Sequence, residues 1–531
     1  MHLFRFFGHN ATLFIRAGLQ ISLNPTTLIQ SYELLHLIPG GKYDTKRSII
    51  MYSQPKLGGQ RMNNNSNKPV KYKFIIPSKK LPSSLAEKVR SPLWKNIIHS
   101  IETGKVEPVL ELVKSIDKRN EPVNLPHPFI ENLDTFASKS MRQGMCNFIF
   151  FNDSNNLNQW ILCQCTSFID AIFTETYSGK HKSSANDDVI LDAIRKLFNG
   201  KNKISTKKYG SKKAVLSGYL LDQKRPYHHF YDQLKWLVSL ETEKPIIGNK
   251  SFFVPRTCKK LSSARKNKSI LCFFPSIIGS NQLGMKLDQY SEEMEKVVYQ
   301  DSVKSWHNKS IQSRWDKIFQ KVKKMLNRKS TLILWFGISG QKRIWVEQED
   351  FLPELVDKLT PWFDYFIFVI DGFTEYEDSN HTPLRGSKAT PVNQDLEVMG
   401  SIQEKLLPFP NVSVVNMVGK TYREKIKQCE SVDFFIANAG AGQLVPHRFC
   451  KKPGILHSNE KHCVFPTGIN NSTVKLVDKS LVSDVGNLFA KVASSTHAGV
   501  GLISYSIDVQ VVIDMLKQML NLSNQSILAK K

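Results

Sequence analysis

The chain has 531 residues, 41% of them hydrophobic and 23% charged, which is the composition of a soluble globular protein beyond the usual single-core size. Seventy-three Lys and Arg against 47 Asp and Glu give a formal charge of +26. That excess calls for an anionic partner: a nucleotide, a phospholipid surface, a polyphosphate or nucleic acid. The lysines are spread along the whole chain rather than gathered on one patch, so nucleic acid is not the expected partner.

The N-terminal run MHLFRFFGHNATLFIRAGLQISL is apolar but broken by Arg5, His9, Asn10 and Arg16. It is neither a clean signal peptide nor a membrane span. It predicts a helix packed on its own domain, with a cationic interfacial helix as the alternative. The polar stretch from Gly58 to Lys71 predicts a surface loop. Beyond it the runs YKFIIP, NFIFF, WILCQC, AVLSGYLL, PIIG, SFFVP and SILCFFP alternate with helical stretches, predicting an α/β domain over residues 1–285. The eight cysteines form no C-x-x-C pair and read as free thiols of a reducing compartment.

Residues 286–328 are charged and predict one or two helices between domains. From 329 to 531 the rhythm is strict. TLILWFGIS, WFDYFIFVIDGF, VSVVNMVG, DFFIANAG and GILHS are strands separated by helical stretches, and DVQVVIDMLKQML closes the domain as an amphipathic helix. Fully apolar strands alternating with helices predict a parallel, helix-wound sheet of Rossmann-like type. Ligands of such sheets sit beyond the carboxyl ends of the strands. The residues that follow each strand, 337–343, 371–372, 419–422, 438–443 and 457–459, are therefore expected to converge on one crevice.

Two of these loops have the chemistry of a phosphate cradle. Asn438-Ala439-Gly440-Ala441-Gly442-Gln443 runs from a strand into a helix, where backbone amides attract phosphate and small residues admit it; a plain strand-to-helix turn is the alternative. In GISGQKR, Gly337 and Gly340 permit close approach, Ser339 offers a hydroxyl, and Lys342 and Arg343 offer positive charge. Neither loop has dinucleotide or Walker spacing. Lys420 follows a third strand. In RPYHHFYDQLKWL, His228 and Asp232 are four apart after Pro226, so a helix starting there puts carboxylate and imidazole on one side. That pairing suits a general base, and His229 points elsewhere. His447, Cys450, His457, His462 and Cys463 have the residue types of a zinc site but not its tight knuckles, so no metal is expected. The sequence contains no Asp-x-Asp, which counts against a metal-dependent GT-A transferase.

The stretch NVSVVNMVGKTYREKIKQCESVDFFIANAGAGQLVPHRFCKKPGILH resembles the nucleotide-sugar domain of GT-B glycosyltransferases. More narrowly it is similar to family-61 glycosyltransferases and related capsule enzymes, which carry a His-Gly-Ala-Gly loop, then a helix and a Pro-Gly strand. Ala439-Gly440-Ala441-Gly442 matches that loop, and Asn438 stands near the place of its histidine. YHHFYDQLKWL is similar to the family's F-H-W-x-x-[DE]-x-L-P helix: His228 falls on the histidine, Asp232 on the acid, and His229 replaces tryptophan. The resemblance covers about half of the chain.

It implies two Rossmann-like domains facing across a cleft, in the GT-B manner, and an inverting, metal-independent glycosyltransferase with no cofactor. A nucleotide-sugar donor would lay its diphosphate on Gly440–Gln443, helped by Lys342, Arg343 and Lys420. His228, held by Asp232, would deprotonate the hydroxyl of a glycan or lipid-linked acceptor. The charge suits a cytoplasmic protein peripheral to an anionic membrane face. The alternatives are a pyruvyl or phosphosugar transferase on the same scaffold, and a basic binding protein for nucleic acid or acidic polysaccharide.

Overall fold

The structure is a computed structural model. It describes residues 12–15 and 19–22, 74–198 apart from 183, 185 and 186, 213–247 apart from 222 and 224, 251–259, 270–279, 287–304, 330–377, 391–463, 473–488 apart from 487, and 503–522. The expected surface loop at Gly58–Lys71 and most of the expected linker helices lie outside these residues. Thr12–Ile15 and Leu19–Ser22 are strands, β1 and β2, paired antiparallel. The N-terminal helix expected across them is therefore corrected: β-branched and aromatic residues predominate in TLFI, a composition that suits a strand.

The chain is a mixed α/β protein. Its first half departs from the expected Rossmann-like unit. A short helix at Leu85–Lys88 and two longer ones, α1 (Pro92–Thr103) and α2 (Glu107–Lys118), precede a six-stranded antiparallel sheet. Its strands are β3 (Asn124–Pro126), β4 (Asp134–Gln143), β5 (Cys146–Asn152), β6 (Gln159–Gln164), β7 (Ala171–Thr174) and β8 (Ser178–Lys180), each paired with the next in the chain. β5 is buried almost along its length, because α1 and α2 contribute to the core on one face and α3 (Asp187–Leu197) to that on the other. Two-sided burial produces the continuous apolar run otherwise typical of parallel strands. A small parallel sheet follows, ordered β10-β9-β11, from Leu216–Leu220 (β9), Ile246–Ile247 (β10) and Leu271–Phe273 (β11). The described part of YKFIIP, Phe74–Pro77, and SFFVP are not strands.

Pro226–His228, His229–Leu234 and Lys235–Leu240 run on as one helix, α4, wound in π geometry through its middle. Gln289–Val303 forms α5, capped by the Asp288 carboxylate on the Ser291 amide; a carboxylate at an N-cap takes up an otherwise unpaired donor.

The second half matches its expected elements. β12 (Thr331–Gly337), β13 (Tyr365–Asp371), β14 (Val412–Asn416), β15 (Phe434–Asn438), β16 (Gly454–His457) and β17 (Val474–Leu476) form one parallel sheet in the order β14-β13-β12-β15-β16-β17. Numbered within the sheet this is 3-2-1-4-5-6, the doubly wound order, whose direction reverses between β12 and β15. α6 (Gln348–Leu359), α7 (Pro391–Leu406), α8 (Tyr422–Cys429) and α9 (Leu444–Phe449) connect the strands. Beyond β17 come an antiparallel pair, the exposed β18 (Ser483–Gly486) and the largely buried β19 (Ser504–Ser506), and the closing helix α10 (Val509–Met519).

The halves interlock at one buried carboxylate. Glu295 of α5 accepts from the Tyr231 hydroxyl of α4 at 2.7 Å, from Arg448 Nε of α9 at 2.8 Å and from Lys451 Nζ at 2.6 Å. Burial pulls the Arg448 guanidinium down, but Tyr231 and Glu295 more than offset it and hold it above its ordinary value. Beside this cluster Phe230 packs edge-on against Tyr422 and Phe449, at 4.8 and 4.9 Å between ring centres. Arg423 of α8 adds a second tie, reaching Asp301 of α5 at 2.8 Å and the Val254 carbonyl at 2.5 Å. Removing one partner of a buried ion pair leaves the other charge uncompensated. Glu295→Ala is therefore expected to cost about 3–5 kcal/mol, and Glu295→Ala with Arg448→Leu less than the single change. Urea unfolding of both variants checks this.

Candidate functional site

The reversal point of the doubly wound sheet lies between the carboxyl ends of β12 and β15, and two of the candidate loops flank it. In the first, most of the polar groups are already engaged. The Ser339 hydroxyl donates to the Lys342 carbonyl at 2.7 Å, and its amide donates to Gln348 Oε1 at 3.1 Å. The Gly340 amide donates to Asp395 Oδ1 at 2.6 Å, and a Cβ on Gly340 would lie 2.6 Å from the Gln394 carbonyl oxygen. Gly340 admits α7, and Ser339 closes its own turn, so neither offers these groups to a ligand as expected. A Cβ on Gly337 would meet that of Ala437 at 3.2 Å, which is packing between adjacent strands. Asp395 also accepts from the Phe373 amide at 2.5 Å. Burial raises its carboxyl to about 6, against the pull of those two amides.

This folding of the turn leaves the side chains of Lys342 and Arg343 to carry its chemistry. Arg343 has φ of 50°, a conformation that a non-glycine residue keeps only when its surroundings enforce it. Its buried Nε has no hydrogen-bond partner. Its guanidinium lies against the second loop, since a Cβ on Gly440 would come within 2.6 Å of Nη2. The Lys342 side chain is exposed at its surface but has protein on part of its circumference. Those surroundings, then Arg343, then Arg225 push its ammonium below the ordinary lysine value. Arg225 stands at the N-terminal boundary of α4, one turn before His228, without a side-chain capping bond. Lys342 and Arg343 thus stand side by side on this turn, and the field of Arg225 reaches Lys342 from the first half.

The second loop is a short 3-10 turn, Ala441–Gln443, leading into the π-wound α9. Pro446 lacks the amide that α-helical winding would use there. The helix start expected at Gly440–Gln443 is therefore a brief 3-10 turn with little dipole, close to the plain strand-to-helix turn that was its alternative. The Gly440 amide is taken by Asn438 Oδ1 at 2.9 Å. Gln443 donates to the Ala439 carbonyl and accepts from His447 Nδ1 at 2.9 Å, so it holds the turn together. At Gly442, by contrast, the nearest atom to an added Cβ is 3.8 Å away; this is the open position of the loop.

His228 and Asp232 meet as expected. Nδ1 lies 2.5 Å from Oδ2, with the His228 side chain 25% exposed and that of Asp232 2% exposed. The carboxylate fixes the ring through Nδ1 and leaves Nε2 for a reacting proton. His229 is a core residue, its Nε2 2.9 Å from the Phe253 carbonyl oxygen, and burial lowers it to about 4.

Lys420 does not join this group by its place in the sheet. It follows β14, two strand spacings or about 10 Å from β12. The turns after β13 and β14 instead surround a separate buried pair, Lys425 with Asp371 at 2.5 Å, and Lys425 also donates to the Gly372 carbonyl at 2.9 Å and Thr374 Oγ1 at 2.7 Å. The five expected loop sets therefore split. The sets after β12, β15 and β16 meet around Arg343, and the other two serve the Lys425 cluster.

Sequence reasoning missed Arg225 and Tyr505. The Tyr505 hydroxyl is 3.2 Å from Asn438 Nδ2 and 2.7 Å from His457 Nδ1. Nothing local distinguishes Tyr505 in the sequence; only long-range pairing brings it to β15. His462 Nδ1 bonds Asn459 Oδ1 at 2.9 Å. Among the described residues no three His, Cys, Asp or Glu side chains converge as metal ligands, and no helix is long and apolar enough to cross a membrane. Comparisons of the chain with protein-family models, curated proteins and solved structures give no match.

Burial holds His127 and His229 neutral down to about 4, and His447 and His457 down to about 3. The unfolded chain takes these protons near 6.5, so the fold binds fewer protons below that pH and loses stability as pH falls. Asp395 and Asp371 act oppositely, since their raised pKa values favour the fold on acidification, but they are two carboxyls against these four imidazoles and that of His181, which burial also lowers. The expected loss at pH 5 is on the order of 1–2 kcal/mol for each histidine. Denaturation midpoints from pH 7 to pH 5 check it, and a flat profile contradicts it.

Proposed function

We propose that this protein is an inverting, metal-independent glycosyltransferase, taking a sugar from a nucleotide-sugar donor to a glycan or lipid-linked acceptor. The observation that carries the reading is the His228–Asp232 pair, Nδ1 2.5 Å from Oδ2, on a helix tied to a doubly wound sheet whose reversal point carries the Arg343 guanidinium against the Gly440 loop. Phosphate belongs at such a reversal point. Fixed cations there neutralise a leaving diphosphate without reorganising, and the sequence has no Asp-x-Asp for a metal-held diphosphate.

In this mechanism His228 Nε2 takes the proton of the acceptor hydroxyl. The acceptor oxygen attacks the anomeric carbon from the face opposite the diphosphate. The bond to the diphosphate oxygen breaks, its electrons stay on that oxygen, and Lys342 and Arg343 hold the charge. Asp232 stabilises the imidazolium. One displacement inverts the anomeric centre. The excess positive charge suits an acceptor presented at an anionic, cytoplasmic membrane face.

His228→Ala is expected to lower turnover by ~10²–10⁴-fold at unchanged nucleoside-diphosphate affinity. Adding Asp232→Asn should cause little further loss, because residues acting as a unit fail together. Transfer assays with calorimetry in parallel check this, and near-normal turnover in a folded His228→Ala protein rules out the base. Gly442→Val should leave stability within about 1 kcal/mol, as surface changes do, and abolish nucleoside-diphosphate binding. Unchanged affinity would reduce the loop to a turn.

A further inference from the structure

We propose that Tyr505 is a positioning residue that locks together the two loops flanking the reversal point, and through them sets the affinity of the crevice for diphosphate. The second clause rests on the donor reading above; the first does not.

Tyr505 is fixed to both loops at once. Its amide donates to the Ile344 carbonyl at 2.9 Å, and its carbonyl accepts from the Val346 amide at 3.0 Å. These bonds clamp the backbone immediately after Arg343. Neighbouring contacts of the same strand reinforce them: Ile344 donates to Ser504 Oγ at 3.3 Å, and Trp345 Nε1 donates to the Ile507 carbonyl at 3.0 Å. The Tyr505 side chain then crosses to the other loop. Its oxygen accepts from Asn438 Nδ2 at 3.2 Å. That contact orients the Asn438 amide so that Oδ1 faces, and holds, the Gly440 amide at 2.9 Å. Gly440 is the residue on which the Arg343 guanidinium rests. The path closes on itself: Arg343, Ile344, Tyr505, Asn438, Gly440, and back to Arg343.

His457 completes the lock. Its ring is buried, and Nδ1 lies 2.7 Å from the Tyr505 oxygen. A neutral imidazole has one acceptor nitrogen, and the phenol needs one acceptor for its single proton. Nδ1 is within reach, so Tyr505 donates to His457 while accepting from Asn438. The direction of both bonds is thereby set, and the Asn438 amide cannot flip without losing two contacts. The strained backbone of Arg343, with φ of 50°, is what a clamp on the following residues has to enforce.

The test is Tyr505→Phe in the full-length protein, which keeps the ring and removes the hydroxyl. Hydrogen exchange is followed on peptides covering 437–443 and 340–346. Affinities for uridine and guanosine diphosphate are measured by calorimetry well below the melting temperature. Tyr219→Phe is the control, because it removes a hydroxyl that donates to Asp117 at 2.7 Å in the first half, away from these loops. The expected result is faster exchange in both peptides and about tenfold weaker diphosphate binding in Tyr505→Phe, with neither change in Tyr219→Phe. Asn438→Ala should give a similar affinity loss, and the double variant little more. Unchanged exchange in Tyr505→Phe overturns the lock. Faster exchange with unchanged affinity overturns its role in binding. A wild-type protein that binds neither diphosphate overturns the donor reading and the affinity clause with it, while the exchange data still decide the lock.

Discussion

Everything proposed for the crevice depends on how α4 is held against the second half, and that rests on the Glu295 carboxylate. Glu295 stands on the helix between the halves and receives Tyr231 from one side and Arg448 and Lys451 from the other. A carboxylate in a nearly dry site is costly unless its lone pairs are filled. Here they are filled by donors from both halves, so the pairing works only when all three segments are in place. The reward is geometric. The same helix that supplies Tyr231 to the cluster carries Arg225, His228 and Asp232 on its first turns, and Phe230 anchors it against Tyr422 and Phe449.

The second half was legible because each strand of a buried parallel sheet must be apolar on both faces and needs a helix to return the chain. TLILWFG, YFIFVID and FFIAN announce that directly. The first half imitates the pattern for a different reason, being antiparallel but covered on both faces. The distinguishing signal was loop length. β4 and β5 are joined only by Gly144 and Met145, with Gly144 at φ 60°, and a parallel crossover needs about a dozen residues. Reading connections as well as strands would have separated the two cases.

For the candidate site, the sequence was informative where chemistry is local. His228 and Asp232 stand four apart on one helix, and their contact follows from helix geometry. Glycines were less informative. A glycine marks a close approach but not what approaches: at Gly340 it is the Gln394 carbonyl, at Gly440 the Arg343 guanidinium, and at Gly442 only an ordinary contact with Asn438. Ser339 was misread similarly, since its hydroxyl serves its own turn. Arg225 and Tyr505 escaped because their importance comes from pairings across the fold.

The staple of β19 on the Arg343 loop also has a consequence for the order in which the protein is made. Trp345 and its acceptor Ile507 are 162 positions apart. A ribosome working at about 5–20 residues per second leaves the loop without this strand for roughly ten to thirty seconds. The parallel strands from β12 to β16 can pair within that interval, but the turn bearing Lys342 and Arg343 cannot take up its clamped form. The crevice is thus among the last parts of the chain to mature. Until β19 is added, the nascent protein presents Lys342 and Arg343 on an unclamped loop, a state open to chaperones.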